Sequence, residues 1–496
     1  MRPPPSNPKK TVPIQRRTKI IATLGPATDD PVVLKALFDA GMDAARINLS
    51  HGSHAEHERR IRQLRERAIK SKHPVALLMD LQGPKIRIGC FAKGAVELTE
   101  DESFCLDMAC PLDAGDSARV GLTYPELIKD VVVDDVLLLD DGRIVLQIKQ
   151  IQGSKIECTV VVGGTLSDSK GINRQGGGLS AKALSEKDIV DIRFAAEMEA
   201  DYLAVSFVRE AADVEEARRL LQVAGCNAGI VAKIERAEAL DCIKDIIHVS
   251  DAIMVARGDL GVEIGDAELP SVQKSLIQTA QEMNTVAITA TQMMESMIEN
   301  AIPTRAEVFD VANAVFDGTD AVMLSGETAM GNNPVQAVAA MDRTCREAEK
   351  HKSVRKSGHR VNSEFERRDE AIAMAAMYVA NHYLRVKAIA AMTETGSTTK
   401  SMSRISSGIP IYAMAQHRSV RRKVTLFRGV YPVKFHVTTK NAQTINESII
   451  EKLLQCNAVE DGDVVIITKG DASGIEGHTN TLKIIRVGDH IANPLD

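Results

Sequence analysis

Eight short runs of β-branched and other apolar residues constrain the fold of this chain more than any other feature. They span 18–23, 44–48, 75–80, 202–206, 229–234, 252–256, 286–290 and 321–324. Longer segments with helical periodicity separate them, such as 31–40, 303–316 and 55–69, the last preceded by the capping box of Ser53 and Glu56. Strands that alternate with crossover helices form a parallel sheet, and eight of them close into a barrel. We therefore expect an α/β protein built on a (β/α)₈ TIM barrel.

The interval between the third and fourth runs is too long for a single helix. It contains apolar segments separated by Asp141-Gly142 and by Gln152-Gly153-Ser154, and an Asp-Gly pair between two strands favours a hairpin. We predict a small all-β lid domain at 85–179, inserted in the third βα loop of a barrel domain that comprises 18–84 and 180–352. The loops of that barrel face carry catalytic groups, so the insert can cover the site.

The two ends of the chain differ from the barrel region. A helix ending near Tyr383 is followed by apolar segments at 388–392, 410–415, 433–437, 464–469 and 482–487, which predict an open α/β domain over 353–496. Residues 1–17 are rich in proline and basic residues and lack the apolar region of a signal peptide. We expect them to form a disordered tail.

Composition and charge narrow the class of protein. A chain of 496 residues is too long for one hydrophobic core, so several domains are expected. The net charge of −6 argues against nucleic acid or an anionic membrane as a partner, and no apolar run is long enough for a spanning helix. Eight scattered cysteines match neither a zinc site nor a disulfide scaffold, which favours the reducing cytoplasm.

Polar residues at the ends of the barrel strands predict an active site, because barrel enzymes carry their catalytic groups there. The set comprises Arg46, Asn48, Ser50, His51, Asp80, Lys85, Arg87, Lys233, Glu235, Arg257, Gly258, Asp259 and Thr291. Carboxylates such as Glu235 and Asp259 are ligands that Mg²⁺ prefers, and cations such as Lys233 suit a charged phosphoryl group. Salt bridges at the barrel rim are the alternative for any single residue. Gly258 and Gly261 flank Asp259 in a predicted turn whose free backbone N–H groups could bind a carboxylate.

Seven segments carry a specific resemblance. ATLGPAT, RINLSHG, VAKIERAE, MVARGDLGVE, TATQMMESM, PTRAEV and MLSGETA resemble the signature motifs of the pyruvate kinase family, in the family's order, and the likeness extends from about Thr18 to the C-terminus. The resemblance implies Mg²⁺-dependent phosphoryl transfer from phosphoenolpyruvate to ADP, the final step of glycolysis. It also implies a catalytic barrel, a lid, a C-terminal effector domain and a cytoplasmic homotetramer.

The resemblance assigns roles to individual residues. Glu235 and Asp259 would bind Mg²⁺, for which Mn²⁺ can substitute, and Lys233 would stabilise the transferring phosphoryl group and the enolate. The predicted substrate contacts are Arg46 for the phosphoryl group, Thr291 with the backbone of Gly258 and Asp259 for the carboxylate, and Arg257 beside them. The predicted nucleotide contacts are Arg87, Lys170, His51 and Asn48.

The chain departs from the potassium-dependent members of the family. Asn48, Ser50 and Asp80 occupy the positions of monovalent-ion ligands, but those members have a glutamate at the position of Lys85 and a threonine at that of Leu81. We expect the ammonium group of Lys85 to replace the ion, so that potassium is not required.

A segment of the C-terminal domain resembles the family's phosphate-binding effector loop. It contains Thr393, Thr395, Gly396, Ser397 and Thr398, and it precedes a predicted helix, as an anion site would. A capped helix start is the alternative. The later loop KGDASGIEGHTN lacks the aromatic and arginine residues that bind a second phosphate in members activated by fructose bisphosphate. We therefore expect a monophosphate effector, such as a hexose or pentose phosphate or AMP.

Two other functions remain open at this stage. Another magnesium-enolate barrel, a lyase or aldolase acting on pyruvate, would have no use for Lys170 and Arg87. A metabolite-sensing relative without turnover would not need Lys233, Glu235, Asp259 and Thr291 together.

Overall fold

The computed structural model describes residues 16–84, 86–355, 363–437, 441–470 and 479–489. Lys85 lies outside the described residues. So do positions 1–15 of the predicted tail and 471–478 of the second predicted effector loop.

Eight parallel strands close into a barrel, each hydrogen-bonded to the strands before and after it. In chain order they are Lys19–Leu24, Ala44–Asn48, Ala76–Asp80, Tyr202–Val205, Gly229–Ile234, Ala252–Ala256, Val286–Ala290 and Ala321–Leu324. We number them strand one to strand eight. The predicted TIM barrel is confirmed, and every predicted strand end lies within one residue of the observed one.

Helices surround the barrel and carry the capping signals of the sequence. They are Pro31–Ala40, His54–Ser71, Glu186–Glu197, Ala211–Val223, Glu238–Asp241, Ile243–Val249, Arg257–Ile264, Leu269–Glu282, Arg305–Asp317, Gly326–Ala329 and Pro334–Ala348, with 3-10 turns at Pro26–Thr28, Glu295–Ile298 and Lys352–Val354. The predicted capping box is formed, since the Ser53 backbone N–H donates to Glu56 Oε2 at 2.8 Å. The helix predicted from 303 begins two residues later because Thr304 is its extended N-cap residue.

The segment between strands three and four forms two sheets whose strands pair antiparallel, except for the parallel pair of Ser103–Asp107 with Arg119–Val120. Six strands make up the larger one, in the order Ile172–Arg174, Val136–Leu139, Ile144–Gln152, Lys155–Val162, Ser103–Asp107 and Arg119–Val120, and Ala95–Leu98 pairs with Gly164–Ser167 in the smaller one. A short helix, Leu127–Asp130, connects Arg119–Val120 to Val136–Leu139 within the larger sheet. The predicted Asp-Gly hairpin is confirmed: Asp141 and Gly142 both have positive φ, and Leu139 pairs with Ile144.

The C-terminal part contains a five-stranded sheet. Its order is Val430–Lys434, Ile411–Ala415, Val386–Met392, Val464–Gly470 and Thr479–Arg486, of which the last is antiparallel. Helices Arg368–His382, Ser397–Ser403, Arg418–Lys423 and Ala442–Gln455 accompany it, with a 3-10 turn at Val424–Leu426. The strand predicted at 433–437 instead begins at Val430 and includes Pro432. A proline is tolerated here because the strand lies at the edge of the sheet, where its missing N–H need not interrupt the hydrogen bonds between strands.

The interior of the barrel is continuous with the core of the C-terminal sheet. Ile21, Met254 and Met323 of the barrel belong to the same buried cluster as Ile389 and Phe427. The other face of the barrel strands packs against the surrounding helices. The C-terminal sheet therefore covers one end of the barrel and leaves the opposite end for the site.

An aspartate precedes every second barrel strand at the covered end. These residues are Asp43, Asp201, Asp251 and Asp320, before strands two, four, six and eight. Each carboxylate accepts a backbone N–H from the preceding odd-numbered strand at 2.8 to 2.9 Å. Each also pairs with at least one basic side chain. The last three each have a partner from the C-terminal part, namely Arg422, Lys423 and Arg404. The repeated aspartate thus fixes strand ends and the C-terminal sheet together.

Arg16 and Arg17 correct the predicted extent of the disordered tail. Arg16 is 6% exposed and pairs with Asp43 at 2.7 Å and with Asp342 at 2.8 Å. The Arg17 guanidinium donates to the backbone carbonyl of Glu349 at 2.7 Å. Both are therefore anchored parts of the fold.

Among the described residues, no helix has the length and apolarity needed to cross a membrane.

Candidate active site

Lys233 is the centre of a buried polar network at the open end of the barrel. Its Nζ lies 2.8 Å from Glu235 Oε1 and 3.4 Å from Asp80 Oδ1, and it donates to Ser206 Oγ at 2.7 Å. Burial acts to lower the pKa of Lys233, but the two carboxylates outweigh it and hold the pKa above its ordinary value. The ammonium group is therefore charged at every physiological pH.

Arg46 reaches the same network from strand two. Its Nε donates to Asp80 Oδ2 at 2.7 Å and its Nη1 donates to Thr23 Oγ1 at 3.1 Å. Asp80 is fully buried; burial acts to raise its pKa, but Lys233 and Arg46 outweigh that effect and lower it. One ionised carboxylate thus holds two cations in fixed positions.

Glu235 and Asp259, the predicted metal ligands, lie at the ends of adjacent strands. Glu235 is 1% exposed, and its Oε2 accepts the Phe207 backbone N–H at 2.8 Å, where Phe207 has a φ of +54°. Asp259 lines the adjoining cleft. The described residues contain no group of three or more acidic, histidine or cysteine side chains able to hold a metal ion. Two carboxylates fit Mg²⁺, which binds through one or two of them and takes its other ligands from substrate phosphates and water.

Thr291 lies in a strained turn after strand seven. Its φ is +66°, which is unusual for a β-branched residue. Its Oγ1 accepts the Gly258 backbone N–H at 2.9 Å and donates to the Ala290 carbonyl at 2.6 Å. Gly258 lies in the first turn of helix Arg257–Ile264, so the predicted turn around Asp259 is a helix, and the Gly258 N–H already has a partner.

Arg257 was predicted as a substrate contact, but its guanidinium points toward the protein. It is 7% exposed, donates to the Thr291 carbonyl at 2.6 Å and pairs with Asp310 at 2.7 Å. These bonds assign Arg257 to the support of the Thr291 turn.

A cleft of about 250 Å³ separates the barrel from the inserted segment. Two of the predicted nucleotide contacts line it, but both have partners within the insert. Arg87 Nη1 donates to the Ser169 carbonyl at 3.3 Å, and Lys170 Nζ lies 2.7 Å from Asp140 Oδ1. The third, His51, is exposed, and its carbonyl oxygen is 2.9 Å from His57 Nε2.

The predicted monovalent-ion positions lie at the same end of the barrel. Asn48 is in register with Asp80 across strands two and three, and Asn48 Oδ1 accepts the Ser50 backbone N–H at 3.1 Å. Leu81 is buried at 1% exposure. Lys85, the predicted replacement for the ion, lies outside the described residues.

The predicted effector loop precedes the seven-residue helix Ser397–Ser403. Gly396 has a φ of +92°, and its N–H donates to Thr393 Oγ1 at 2.8 Å. The Ser397 N–H donates to Thr395 Oγ1 at 3.4 Å, while Thr398 Oγ1 lies 2.8 Å from Thr479 Oγ1. Side-chain oxygens thus fix the bend of this loop.

Strand four also contributes to the site. Ser206 and Phe207 follow that strand and contact Lys233 and Glu235, but neither was assigned a role. The rule that found the other residues, polar groups at the carboxyl ends of strands, would have found Ser206.

Comparisons with known proteins agree with this geometry. Residues 15–338 match the family model described as the pyruvate kinase barrel domain, and residues 370–485 match that of the pyruvate kinase alpha/beta domain. The chain is 52% identical to pyruvate kinase II of Salmonella typhimurium over 475 residues, covering 95% of this chain and 99% of the relative. It is 52% identical to a pyruvate kinase of Buchnera aphidicola, with 95% of this chain and 98% of the relative covered. It is 50% identical to a pyruvate kinase of Haemophilus influenzae, with 92% of this chain and 96% of the relative covered. The chain therefore belongs to the pyruvate kinase family of enzymes.

Proposed function

We propose that this enzyme catalyses Mg²⁺-dependent phosphoryl transfer from phosphoenolpyruvate to ADP, giving pyruvate and ATP as the last step of glycolysis. The observation that carries the proposal is the Lys233 ammonium, which lies at the open end of the barrel between the carboxylates of Asp80 and Glu235, with 12% of its side chain exposed. Such a fixed cation suits a reaction whose negative charge moves from a phosphoryl group to an enolate.

Chain residues supply a separate contact for each part of phosphoenolpyruvate in this proposal. Arg46, fixed by Asp80, binds the phosphoryl group. Thr291 and the helix N-terminus at Gly258 and Asp259 bind the carboxylate, which replaces the bond between Thr291 Oγ1 and the Gly258 N–H. These contacts orient the phosphorus for in-line attack by the terminal phosphate oxygen of ADP.

Lys233 acts as the bond between phosphorus and the enol oxygen breaks. The departing oxygen becomes an enolate, and the ammonium group stabilises its charge until the carbon is protonated to give pyruvate. Ser206, Asp80 and Glu235 hold the ammonium so that it need not reorganise during transfer. Mg²⁺ held by Glu235 and Asp259 would supply further positive charge to the transferring group.

The inserted segment, 85–179, is proposed as the lid of this site. Gly83, with a φ of +69°, lies where the chain leaves the barrel, and Gly176, Gly177 and Gly178 all have positive φ where it returns. Arg87 and Lys170 would bring charge to the nucleotide phosphates when the lid covers them. We also infer a cytoplasmic homotetramer with no nucleic acid or membrane partner; its eight free cysteines suit a reducing compartment.

A coupled assay of pyruvate formation tests the function. It contains phosphoenolpyruvate, ADP and Mg²⁺, with and without potassium, and we expect turnover in both conditions. A lack of pyruvate formation, together with Mg²⁺-dependent addition of pyruvate to an aldehyde, would favour a lyase or aldolase acting on pyruvate. The absence of turnover together with ligand binding would favour a metabolite-sensing protein.

The metal site is tested by Glu235→Gln and Asp259→Asn. Each substitution replaces a hard anionic ligand by a neutral amide, so we expect the Mg²⁺ concentration for half-maximal activity to rise by about tenfold or more. Titration of activity against Mg²⁺ measures it. Unchanged midpoints in both variants would locate the metal elsewhere.

Potassium independence is tested by Lys85→Glu. We expect the wild type to gain no activity from potassium at constant ionic strength. The variant should lose at least about tenfold in kcat/KM without potassium, because a nearby positive charge becomes negative, and recover part of it when potassium is added, since Asn48, Ser50 and Asp80 remain. A tenfold activation of the wild type by potassium would contradict the proposal.

The effector loop is tested by Ser397→Glu. We propose that a sugar monophosphate or AMP binds at Thr393, Thr395, Gly396, Ser397 and Thr398 and raises the affinity for phosphoenolpyruvate. A carboxylate at position 397 repels a phosphate, so the variant should keep its basal activity and lose activation. Substrate saturation curves with and without each effector decide this. Equal activation of both proteins would place the effector at another site.

A further inference from the structure

Arg236 is a buried cation that the proposed mechanism does not use. It directly follows Glu235 in the chain and is 2% exposed. Its Nε and Nη1 are buried without a hydrogen-bond partner, and the described part of the chain gives it no ion pair. A buried guanidinium without a partner is destabilising unless an anion compensates its charge. A bound anionic ligand would satisfy it.

The position of Arg236 indicates where that ligand lies. Arg236 lines the cleft between barrel and inserted segment together with Asp259, Phe207, Arg87 and Lys170. Its Cζ lies over the Phe207 ring, 5.3 Å from the centroid. A Cβ added at Gly83 would lie 2.8 Å from the edge of that ring, which is therefore tightly packed. The guanidinium is thus supported at the barrel wall of the cleft.

The other charges near the cleft leave Arg236 uncompensated. Lys170 and Arg87 have partners within the insert, at Asp140 and at the Ser169 carbonyl. The Glu263 carboxylate near Arg236 is itself buried, and burial raises its pKa to about 7, so that it carries only part of a negative charge at neutral pH. Of the three cations among the described residues that line this cleft, Arg236 is the one with buried nitrogens that lack a hydrogen-bond partner.

We propose that Arg236 binds a phosphate group of the nucleoside diphosphate from the barrel side of the cleft, opposite Arg87 and Lys170. A guanidinium presents paired N–H donors that match the oxygens of a phosphate. The carboxylate of the other substrate has its own proposed site at Thr291. This inference rests on the proposed function, and it adds a specific residue to nucleotide recognition.

Two substitutions test the inference. Arg236→Met removes the charge and keeps a flexible apolar side chain, and Arg236→Lys keeps the charge without the paired donors. We expect Arg236→Met to raise KM for ADP by about ten- to a hundredfold, the range for a lost hydrogen bond to a charged group, with KM for phosphoenolpyruvate within about twofold. Arg236→Lys should recover part of the loss.

Arg209→Met is the control, because Arg209 follows strand four and is not among the residues that line the cleft. Like that of Arg236, its Nε has no hydrogen-bond partner, although it lies 3.9 Å from Asp213 Oδ2. Arg209→Met should leave both KM values unchanged. Calorimetric titration of each folded variant with ADP in the absence of phosphoenolpyruvate should give the same ratio of affinities as the KM values for ADP. Circular dichroism confirms that each variant is folded.

Two results would overturn the inference: an unchanged affinity for ADP in Arg236→Met, or an equal rise in both KM values, which indicates a distorted site. Failure of the proposed function would give a different result from failure of this inference, because the wild type itself would then be inactive. The calorimetric comparison of the wild type with Arg236→Met would still test Arg236 in that case.

Discussion

Replacing Lys233 by alanine is expected to lower kcat by about 10²- to 10³-fold, the usual cost of losing one group that stabilises developing charge. KM for phosphoenolpyruvate should change little, because Arg46 and Thr291 remain to bind its phosphoryl and carboxylate groups. An interaction that is stronger in the transition state than in the ground state affects kcat rather than KM. Lys233 lies 2.8 Å from Glu235 and 3.4 Å from Asp80, so its ammonium is already oriented before charge develops.

Lys19 provides the matched control for this substitution. It is also a buried barrel lysine, 1% exposed and 3.9 Å from Asp43, but it lies at the covered end, where its Nζ donates to the Val430 carbonyl at 2.7 Å. Lys19→Ala should lower the thermal midpoint and leave kcat within about twofold, since it removes packing and an ion pair remote from the substrates. Steady-state kinetics and thermal melts of both variants separate the two effects. A folded Lys233→Ala enzyme with kcat within twofold of the wild type would refute the assigned role.

The barrel could be predicted because its strands have an unambiguous local signal. Each run of apolar residues is buried on both faces, as parallel strands between a filled interior and a helical layer must be. The edge strand Val430–Lys434 has a weaker signal because it contains Pro432, and its predicted position was wrong by three residues.

The site was predicted less completely, because sequence gives the end of a strand but not the direction of a side chain. Lys233, Glu235, Asp80 and Arg46 do meet, as parallel strands that end at one face require. Arg257 occupies an equivalent position, yet its guanidinium turns toward Asp310 and the Thr291 carbonyl. The direction of this guanidinium depends on helix Arg305–Asp317, which is distant from Arg257 in sequence.

The aspartates at the covered end had no sequence interpretation at all. A single aspartate before a strand is common loop chemistry, and only the closed barrel reveals that four of them repeat at every second strand. Their basic partners come mostly from segments more than 80 residues away, such as Arg404 for Asp320. Local patterns cannot identify such pairs.

Asp320→Asn is expected to lower the free energy of unfolding by about 3–5 kcal/mol, the range for breaking a buried ion pair by removing one partner. Both side chains of the Arg404–Asp320 pair are 1% exposed. Arg404 Nη1 donates to Asp320 Oδ2 at 2.7 Å, and Asp320 also accepts the backbone N–H groups of Ala287 and Arg428. An asparagine has one acceptor oxygen and can keep only one of these two bonds, because they go to different oxygens of Asp320. It also leaves the Arg404 charge buried without a counter-ion.

The same pair should show strong coupling between its members. Arg404→Met alone leaves a buried carboxylate with two N–H donors, whereas the double variant Asp320→Asn/Arg404→Met removes both charges of the pair. We expect the double variant to be more stable than either single one, because replacing both partners avoids the desolvation of an uncompensated ion. Thermal and urea unfolding of the four proteins measure this, with Lys350→Met as control, since the Lys350–Glu347 pair is exposed and should contribute little. Additive losses of stability in the double variant would contradict the account of Asp320 and Arg404 as one buried unit.

If Asp320 and Arg404 do form such a unit, breaking the pair should also release the C-terminal sheet from strands seven and eight. Rapid proteolysis of the single variants near residue 404 would detect this release.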